Sequence, residues 1–213
     1  MKIDIANLRE EYTRGGLSEE DLTADPIILF RKWLEEAVES KAAEPNAMSL
    51  ATISEDGTPN SRVVLLKEVG DRSIRFYTNY TSRKGKDLEI NPFAAVSFWW
   101  PELERQVRMK GSIKKVSREE SDEYFKSRPR ESQLGAWASS QSSVVENREK
   151  LKEDYDNVSK QFKNTVIPTP EYWGGIDIYV NEIEFWQGRP SRLHDRILFT
   201  FEQDEWNYKR LQP

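Results

Sequence analysis

The 213-residue chain contains no cysteine and one histidine, His194. The first absence excludes disulfides, thiolate catalysis and cysteine-ligated metals. The second excludes a histidine-rich zinc site. No apolar run reaches the length of a membrane span, about 18 residues. The start, Met1-Lys2-Ile3-Asp4, lacks the apolar stretch of a secretory signal, so a cytoplasmic location is expected. Neither the Rossmann glycine pattern nor the P-loop occurs, so a phosphorylated ligand would have to be held by side chains. The net charge of −5 argues against general nucleic-acid binding and confines any functional basic residues to local clusters. Aromatics, by contrast, are plentiful. Seven tryptophans suit a ligand pocket or an oligomer interface as well as a core.

Residues 1–24 are polar, with Gly15-Gly16 in the middle, and read as a short helix followed by a mobile arm. Asp25-Pro26 is a helix start. Ile27, Phe30, Trp33, Leu34, Ala37 and Val38 then recur at helical spacing to about Ser40. From Ala47 the period shortens. Strands are expected at 48–53, 62–67, 74–78, 94–100, 105–116, 176–186, 196–201 and 206–211, with a hairpin turn at Asp56-Gly57. Helices are expected over 82–90, from the capping box Ser117-Arg118-Glu119-Glu120 to about Arg128-Pro129, and from about Val145 to Lys163. Hairpin-joined strands with few helices make an α+β protein around an antiparallel sheet, closed or partly closed into a barrel. Residues 25–213 are expected to form one domain.

Five stretches could carry chemistry. Ser82-Arg83-Lys84-Gly85-Lys86 places cations in a first helical turn, where the macrodipole disfavours them. An anion would resolve the conflict; ordinary solvated lysines are the equal alternative. Tyr124 and Arg128 share a helix face, which Ser132 continues if the helix survives Pro129. That set suits a phosphate, or simply an amphipathic helix end. Gln106, on a strand, could read the polar edge of a heterocycle or pair with backbone. Gln141-Ser142-Ser143 reads as a polar turn or an N-cap. The run from Glu184 to Arg196 holds His194 and three arginines. It is either a solvated basic loop or an anionic-ligand site. On an extended strand Arg192 and His194 would face one side.

These stretches together carry a resemblance. Arg62-Val63-Val64-Leu65-Leu66-Lys67, Phe76-Tyr77-Thr78-Asn79, Ser82-Arg83-Lys84, Glu104-Arg105-Gln106-Val107, Tyr124-Phe125-Lys126-Ser127-Arg128-Pro129-Arg130, Gly135-Ala136-Trp137, Gln141-Ser142, Tyr172-Trp173-Gly174-Gly175, Ile183-Glu184-Phe185-Trp186-Gln187-Gly188, Arg192-Leu193-His194-Asp195-Arg196 and Arg210-Leu211 resemble the pyridoxine (pyridoxamine) 5′-phosphate oxidase family over nearly the whole chain. One departure is Ser140, where the family commonly has a basic residue. The resemblance implies a split β-barrel with peripheral helices, binding FMN at the interface of a homodimer. It implies oxidation of pyridoxine or pyridoxamine 5′-phosphate to pyridoxal 5′-phosphate, in biosynthesis and salvage, with dioxygen reoxidising the flavin and hydrogen peroxide released. It carries over site roles residue by residue. Arg62, Val63, Val64, Leu65, Leu66, Lys67, Tyr77, Thr78, Arg83, Lys84, Gln106, Gln141, Ser142, Trp186 and Arg196 would contact FMN. Lys67, Tyr124, Arg128 and Ser132 would hold the substrate phosphate. Arg192 and His194 would address the pyridine ring and its reacting substituent, under a segment containing Arg9 and Tyr12. A catalyst with no cysteine, metal or triad fits such chemistry, because the cofactor supplies it. A non-catalytic flavin-binding split barrel and a nicotinamide-dependent flavin reductase are the rival readings.

Overall fold

The computed structural model describes Asp4, Leu8 and residues 11–213. Arg9 lies outside the described residues. The elements in order are α1 (Pro26–Glu39), β1 (Ala47–Ile53), β2 (Pro59–Leu65), β3 (Glu68–Val69), β4 (Ser73–Asn79), α2 (Arg83–Ile90), β5 (Phe93–Trp100), β6 (Arg105–Lys115), α3 (Arg118–Ser127), α4 (Arg130–Ala138), α5 (Arg148–Gln161), β7 (Trp173–Gln187), β8 (Asp195–Glu202) and β9 (Glu205–Arg210). The strands hydrogen-bond in the order β2-β1-β5-β6-β7-β4-β3, with β8 on β7 and β9 on β8. This is the expected α+β split β-barrel, an antiparallel sheet with peripheral helices. No helix among the described residues is long and apolar enough to cross a membrane.

The residues cluster into two compact units. The first takes residues up to Ser49, Val96–Lys110 and Val180–Pro213. Here α1 starts as its sequence dictates: the Asp25 carboxylate accepts from the Ile27 N–H (2.9 Å), and Pro26 occupies a position that needs no N–H. Its inward face packs Phe30 on Phe98 (5.1 Å) and Trp33 edge-on to Phe185 (5.1 Å). The register of β7 and β8 sets Trp186 opposite Arg196 and Phe185 opposite Ile197. Along β8 and β9, Arg210 stands opposite Ile197.

The second unit takes Leu50–Ala95 and Gly111–Tyr179. Its apolar centre is Phe125, Leu134, Phe162, Ile167 and Trp173. The β1–β2 hairpin turns at Gly57, whose φ of +81° only glycine adopts freely. Ser82 caps α2, accepting from the Gly85 N–H. Gly85 is required there, because a Cβ would lie 2.1 Å from the Tyr80 carbonyl oxygen.

Three boundaries differ from expectation. β2 stops at Leu65, two residues before Lys67. The helix from Ser117 does end before Pro129, yet a second helix, α4, starts at once. Proline drives both events. It forces Arg128 out of the helical region (ψ 149°), and its own fixed φ begins the next turn, where the Ser132 and Gln133 N–H groups bond the Pro129 carbonyl (2.9 and 3.1 Å). The N-cap of α5 is Asn147, not the Gln141-Ser142-Ser143 turn.

Candidate functional site

In the second unit a cavity of about 680 Å³ collects most of the expected ligand-binding residues. Arg62, Val63, Val64, Leu65 and Lys67 reach it from β2 and the chain beyond, Tyr77 and Thr78 from β4, and Lys84 from α2. Tyr124 and Arg128 come from the end of α3, Ser132 from α4, and Gln141 from the turn before α5. Among the described residues, four cations thus line this cavity and no carboxylate does. Leu66 instead turns into the core, and Arg83 and Ser142 stand outside the lining.

The electrostatics show charge awaiting a partner. The Lys84 ammonium donates only to neutral oxygens: Gln141 Oε1 (2.9 Å), Thr78 Oγ1 (3.2 Å) and Ser82 Oγ (3.3 Å). Burial, then the nearby Arg62 charge, pushes its pKa below the ordinary lysine value. Arg128 lies over the rings of Trp173 (4.7 Å) and Phe125 (5.6 Å), and its buried Nη1 has no hydrogen-bond partner. Its pKa too is lowered by burial. Tyr77, Tyr124 and Trp173 form a stack beside it, the two tyrosines 3.9 Å apart.

Arg62 is aimed by residues with no individual signature in sequence. It donates to Thr52 Oγ1 (2.6 Å), which donates to Asp87 Oδ2 (2.6 Å), and Asn60 donates to the same oxygen (3.1 Å). Asp87 sits one turn along α2 from Lys84, so one helix presents a cation and orients another.

The first unit holds a second cavity, about 540 Å³, lined by Leu8, Glu11, Tyr12, Arg189, Ser191, Arg192 and His194. The expectation that Arg192 and His194 share an extended strand is corrected. Pro190–Arg192 is a 3-10 turn, Ser191 and Arg192 have φ of 57° and 61°, and β8 begins only at Asp195. This left-handed backbone, not strand alternation, brings both residues to one cavity.

His194 Nδ1 accepts from the Arg189 N–H (3.1 Å). Its ring rests against Trp186 (4.6 Å) and Tyr12 (5.7 Å). Burial, then the Arg192 charge, holds its pKa below the ordinary histidine value, against a smaller opposing pull from Asp195. The imidazole is therefore neutral at neutral pH, with its proton on Nε2. Gln106 is half-buried on β6.

Arg196 donates to Glu184 Oε1 (2.8 Å), and Arg108 pairs with Glu184 Oε2. Glu184, buried to 6% exposure, was not singled out from the sequence; its signal was a carboxylate between Ile183 and Phe185 in a strand. Burial raises its pKa, but the Arg196 and Arg108 hydrogen bonds outweigh that and hold it below the usual value. Its contribution to stability is therefore present above about pH 4.5 and is lost as pH falls through the lower folded-state value. Glu184→Gln is expected to cost about 1–3 kcal/mol near neutral pH, read as a lower melting temperature, and to flatten the acid limb of the stability profile.

Comparison with known proteins shows the family. The model described as pyridoxamine 5′-phosphate oxidase matches residues 34–162, and that of the pyridoxine 5′-phosphate oxidase C-terminal dimerisation region matches 173–213. The chain belongs to the pyridoxine/pyridoxamine 5′-phosphate oxidase family. Relatives carrying that name are 48% identical in a Cyanothece species, with full coverage of both chains, and 50% identical in Nostoc punctiforme, again with full coverage. Another, from Leptospira biflexa, is 50% identical over 99% of each chain. Among solved structures, PhzG from Burkholderia lata, in complex with tetrahydrophenazine-1-carboxylic acid, superposes with a TM-score of 0.87. It is 30% identical, over 92% of this chain and 98% of its own. A pyridoxamine 5′-phosphate oxidase-related, FMN binding protein from Nostoc punctiforme shares the fold at 16% identity and a TM-score of 0.70, over 86% of this chain and 97% of its own.

Proposed function

We propose that this family member is an FMN-dependent oxidase that converts pyridoxine 5′-phosphate or pyridoxamine 5′-phosphate to pyridoxal 5′-phosphate. Bound FMN supplies the two-electron acceptor, and dioxygen takes those electrons to give hydrogen peroxide. The amine substrate also takes up water and releases ammonia. The observation that carries this reading is a cavity lined, among the described residues, by four cations and no carboxylate, of which only Arg62 has a carboxylate behind it (Asp87, 3.6 Å), with a buried Arg128 nitrogen left unpaired. Flavin and substrate each bring a phosphate dianion, which supplies what those cations lack.

The chain's own residues then bind, orient and exclude water. Arg62 and Lys84 hold the FMN phosphate, with Arg83 adding charge from the first turn of α2. Val63, Val64, Leu65, Lys67, Tyr77, Thr78, Gln106, Gln141, Ser142, Trp186 and Arg196 complete the flavin contacts, while the Leu66 side chain packs in the core. Lys67, Tyr124, Arg128 and Ser132 take the substrate phosphate. His194 presents its Nε2–H, and Arg192 its guanidinium, to the reacting end of the pyridine ring, with Tyr12 against His194; Arg9 is assigned to the substrate as well. The match of residues 173–213 to the family's dimerisation region supports a homodimer, and FMN is assigned to its interface. Phosphate dianions do not cross bilayers, which suits a cytoplasmic enzyme.

The test is direct. The purified protein is loaded with FMN and given pyridoxine 5′-phosphate in air, and aldehyde and peroxide are measured. Flavin binding without turnover would sink the oxidase and favour a non-catalytic carrier; turnover only with a nicotinamide donor would make it a reductase. Within the oxidase, His194→Ala is expected to lower kcat on the order of tenfold or more, the share that orientation commands, with FMN affinity unchanged. Wild-type turnover in that variant removes His194 from the reacting end.

A further inference from the structure

Residues 14–21 have one buried apolar side chain, Leu17, too little to fix a segment that contains Gly15 and Gly16. What fixes it is a polar cluster centred on Asp195 and Arg210. Asp195 Oδ2 accepts from the Leu17 N–H (3.0 Å), and Oδ1 accepts from Arg210 Nη1 (2.8 Å). The Arg210 guanidinium grips Glu19 with two parallel bonds (2.8 and 3.0 Å) and donates to the Leu17 carbonyl (3.0 Å). Arg189 donates to the Gly15 carbonyl (2.7 Å), and its guanidinium lies 3.6 Å from Asp195. The Arg14 N–H bonds Glu104 (2.9 Å).

Just upstream, Tyr12 stands edge-on to Trp186 (5.6 Å) and to His194 (5.7 Å). It packs so closely on Gly188 that a Cβ there would lie 2.7 Å from the tyrosine ring. Asp195 thus follows His194 in sequence yet turns its carboxylate to the arm, tying the arm to the strand that His194 precedes.

We propose that Asp195 and Arg210 are positioning residues for substrate binding. They clamp residues 15–19 to the start of β8 and the end of β9, and so hold Tyr12 against His194 at the mouth of the substrate cavity. The proposal rests on Tyr12 and His194 facing the substrate, and its test separates the two ideas. A bidentate guanidinium–carboxylate pair tied to backbone groups is geometrically fixed, unlike an isolated surface ion pair. The clamp is reached from both sides. Asp195→Asn breaks it at the strand, and Glu19→Gln breaks it on the arm, where no contact with His194 exists to confuse the result.

The experiment uses the FMN-loaded full chain with pyridoxine 5′-phosphate. Tyr12→Ala and Asp195→Asn are each expected to raise KM about tenfold, and Glu19→Gln about threefold, with kcat and FMN affinity little changed. In the Tyr12→Ala background neither clamp substitution raises KM further, because both act through Tyr12. Trypsin cleavage after Arg14 becomes faster in Asp195→Asn and Glu19→Gln. If Tyr12→Ala raises KM but the clamp variants do not, or their effects multiply with it, the clamp has no positioning role. Unchanged cleavage overturns the clamp whatever the kinetics. A Tyr12→Ala enzyme with wild-type KM overturns the assignment of Tyr12 to the substrate, and the clamp's function with it.

Discussion

Lys84→Ala is expected to weaken FMN binding on the order of 10- to 100-fold, read by fluorescence titration of the apoprotein, while leaving its melting temperature unchanged or higher. The two outcomes have one cause. Lys84 is a desolvated cation bonded to three neutral oxygens, with Arg62 close enough to depress its pKa further. In the free protein that charge is a liability, so removing it costs the fold nothing. When a phosphate dianion arrives, the same charge gains a partner in a water-poor site, where a charge-assisted bond is worth most. A lysine with a merely structural role would give the opposite pattern, a lower melting temperature with affinity retained.

The pH dependence follows with its sign. Lys84 has a lowered pKa in the free protein, and a bound dianion raises it. Between those two values binding takes up a proton, so FMN affinity falls as pH rises toward 10.5, the ordinary lysine value. In Lys84→Ala this fall is expected to flatten. Unchanged FMN affinity in Lys84→Ala would remove it from the phosphate site. Arg83, exposed and outside the cavity lining, is expected to contribute less, because solvent screens it.

Local signals carried most of the fold. Asp25-Pro26, Asp56-Gly57, Ser82 and Ser117 each set an element boundary through backbone chemistry confined to a few residues, and all four stand where expected. Pro129 shows the limit of such reading. As a helix breaker it was legible; as the start of α4 it was not, because beginning a new helix depends on packing Leu134 into the apolar centre. The Arg192–His194 geometry failed for a related reason: left-handed backbone at serine and arginine has no compositional mark, unlike glycine. Thr52, Asp87 and Glu184 stayed hidden because their partners lie 10 to 76 residues away in sequence, so only the sheet register and α2 bring the polar atoms together. Asp195, adjacent to His194 and tempting as its partner, has its hydrogen bonds with the arm and Arg210 instead.

Arg128 should show the sharpest discrimination between substrates. Arg128→Ala is expected to lower kcat/KM for pyridoxine 5′-phosphate on the order of 100-fold while leaving whatever turnover the wild type shows with dephosphorylated pyridoxine unchanged. Pro129 forces Arg128 out of the helix, and its guanidinium then lies across Trp173 and Phe125. Aromatic faces hold a planar cation without consuming its N–H donors. That is why Nη1 is both buried and unpartnered, a costly state unless an anion completes it. Among the described residues no carboxylate lines the cavity to do so, whereas Ser132 and Tyr124 line it with Arg128. Arg128→Lys should recover only part of the loss, since an ammonium neither stacks on Trp173 as well nor offers a two-pronged donor. The decisive comparison is between the two substrates. An equal fall for both would place Arg128 in the fold or at the flavin; a fall confined to the phosphorylated substrate assigns it to the phosphate.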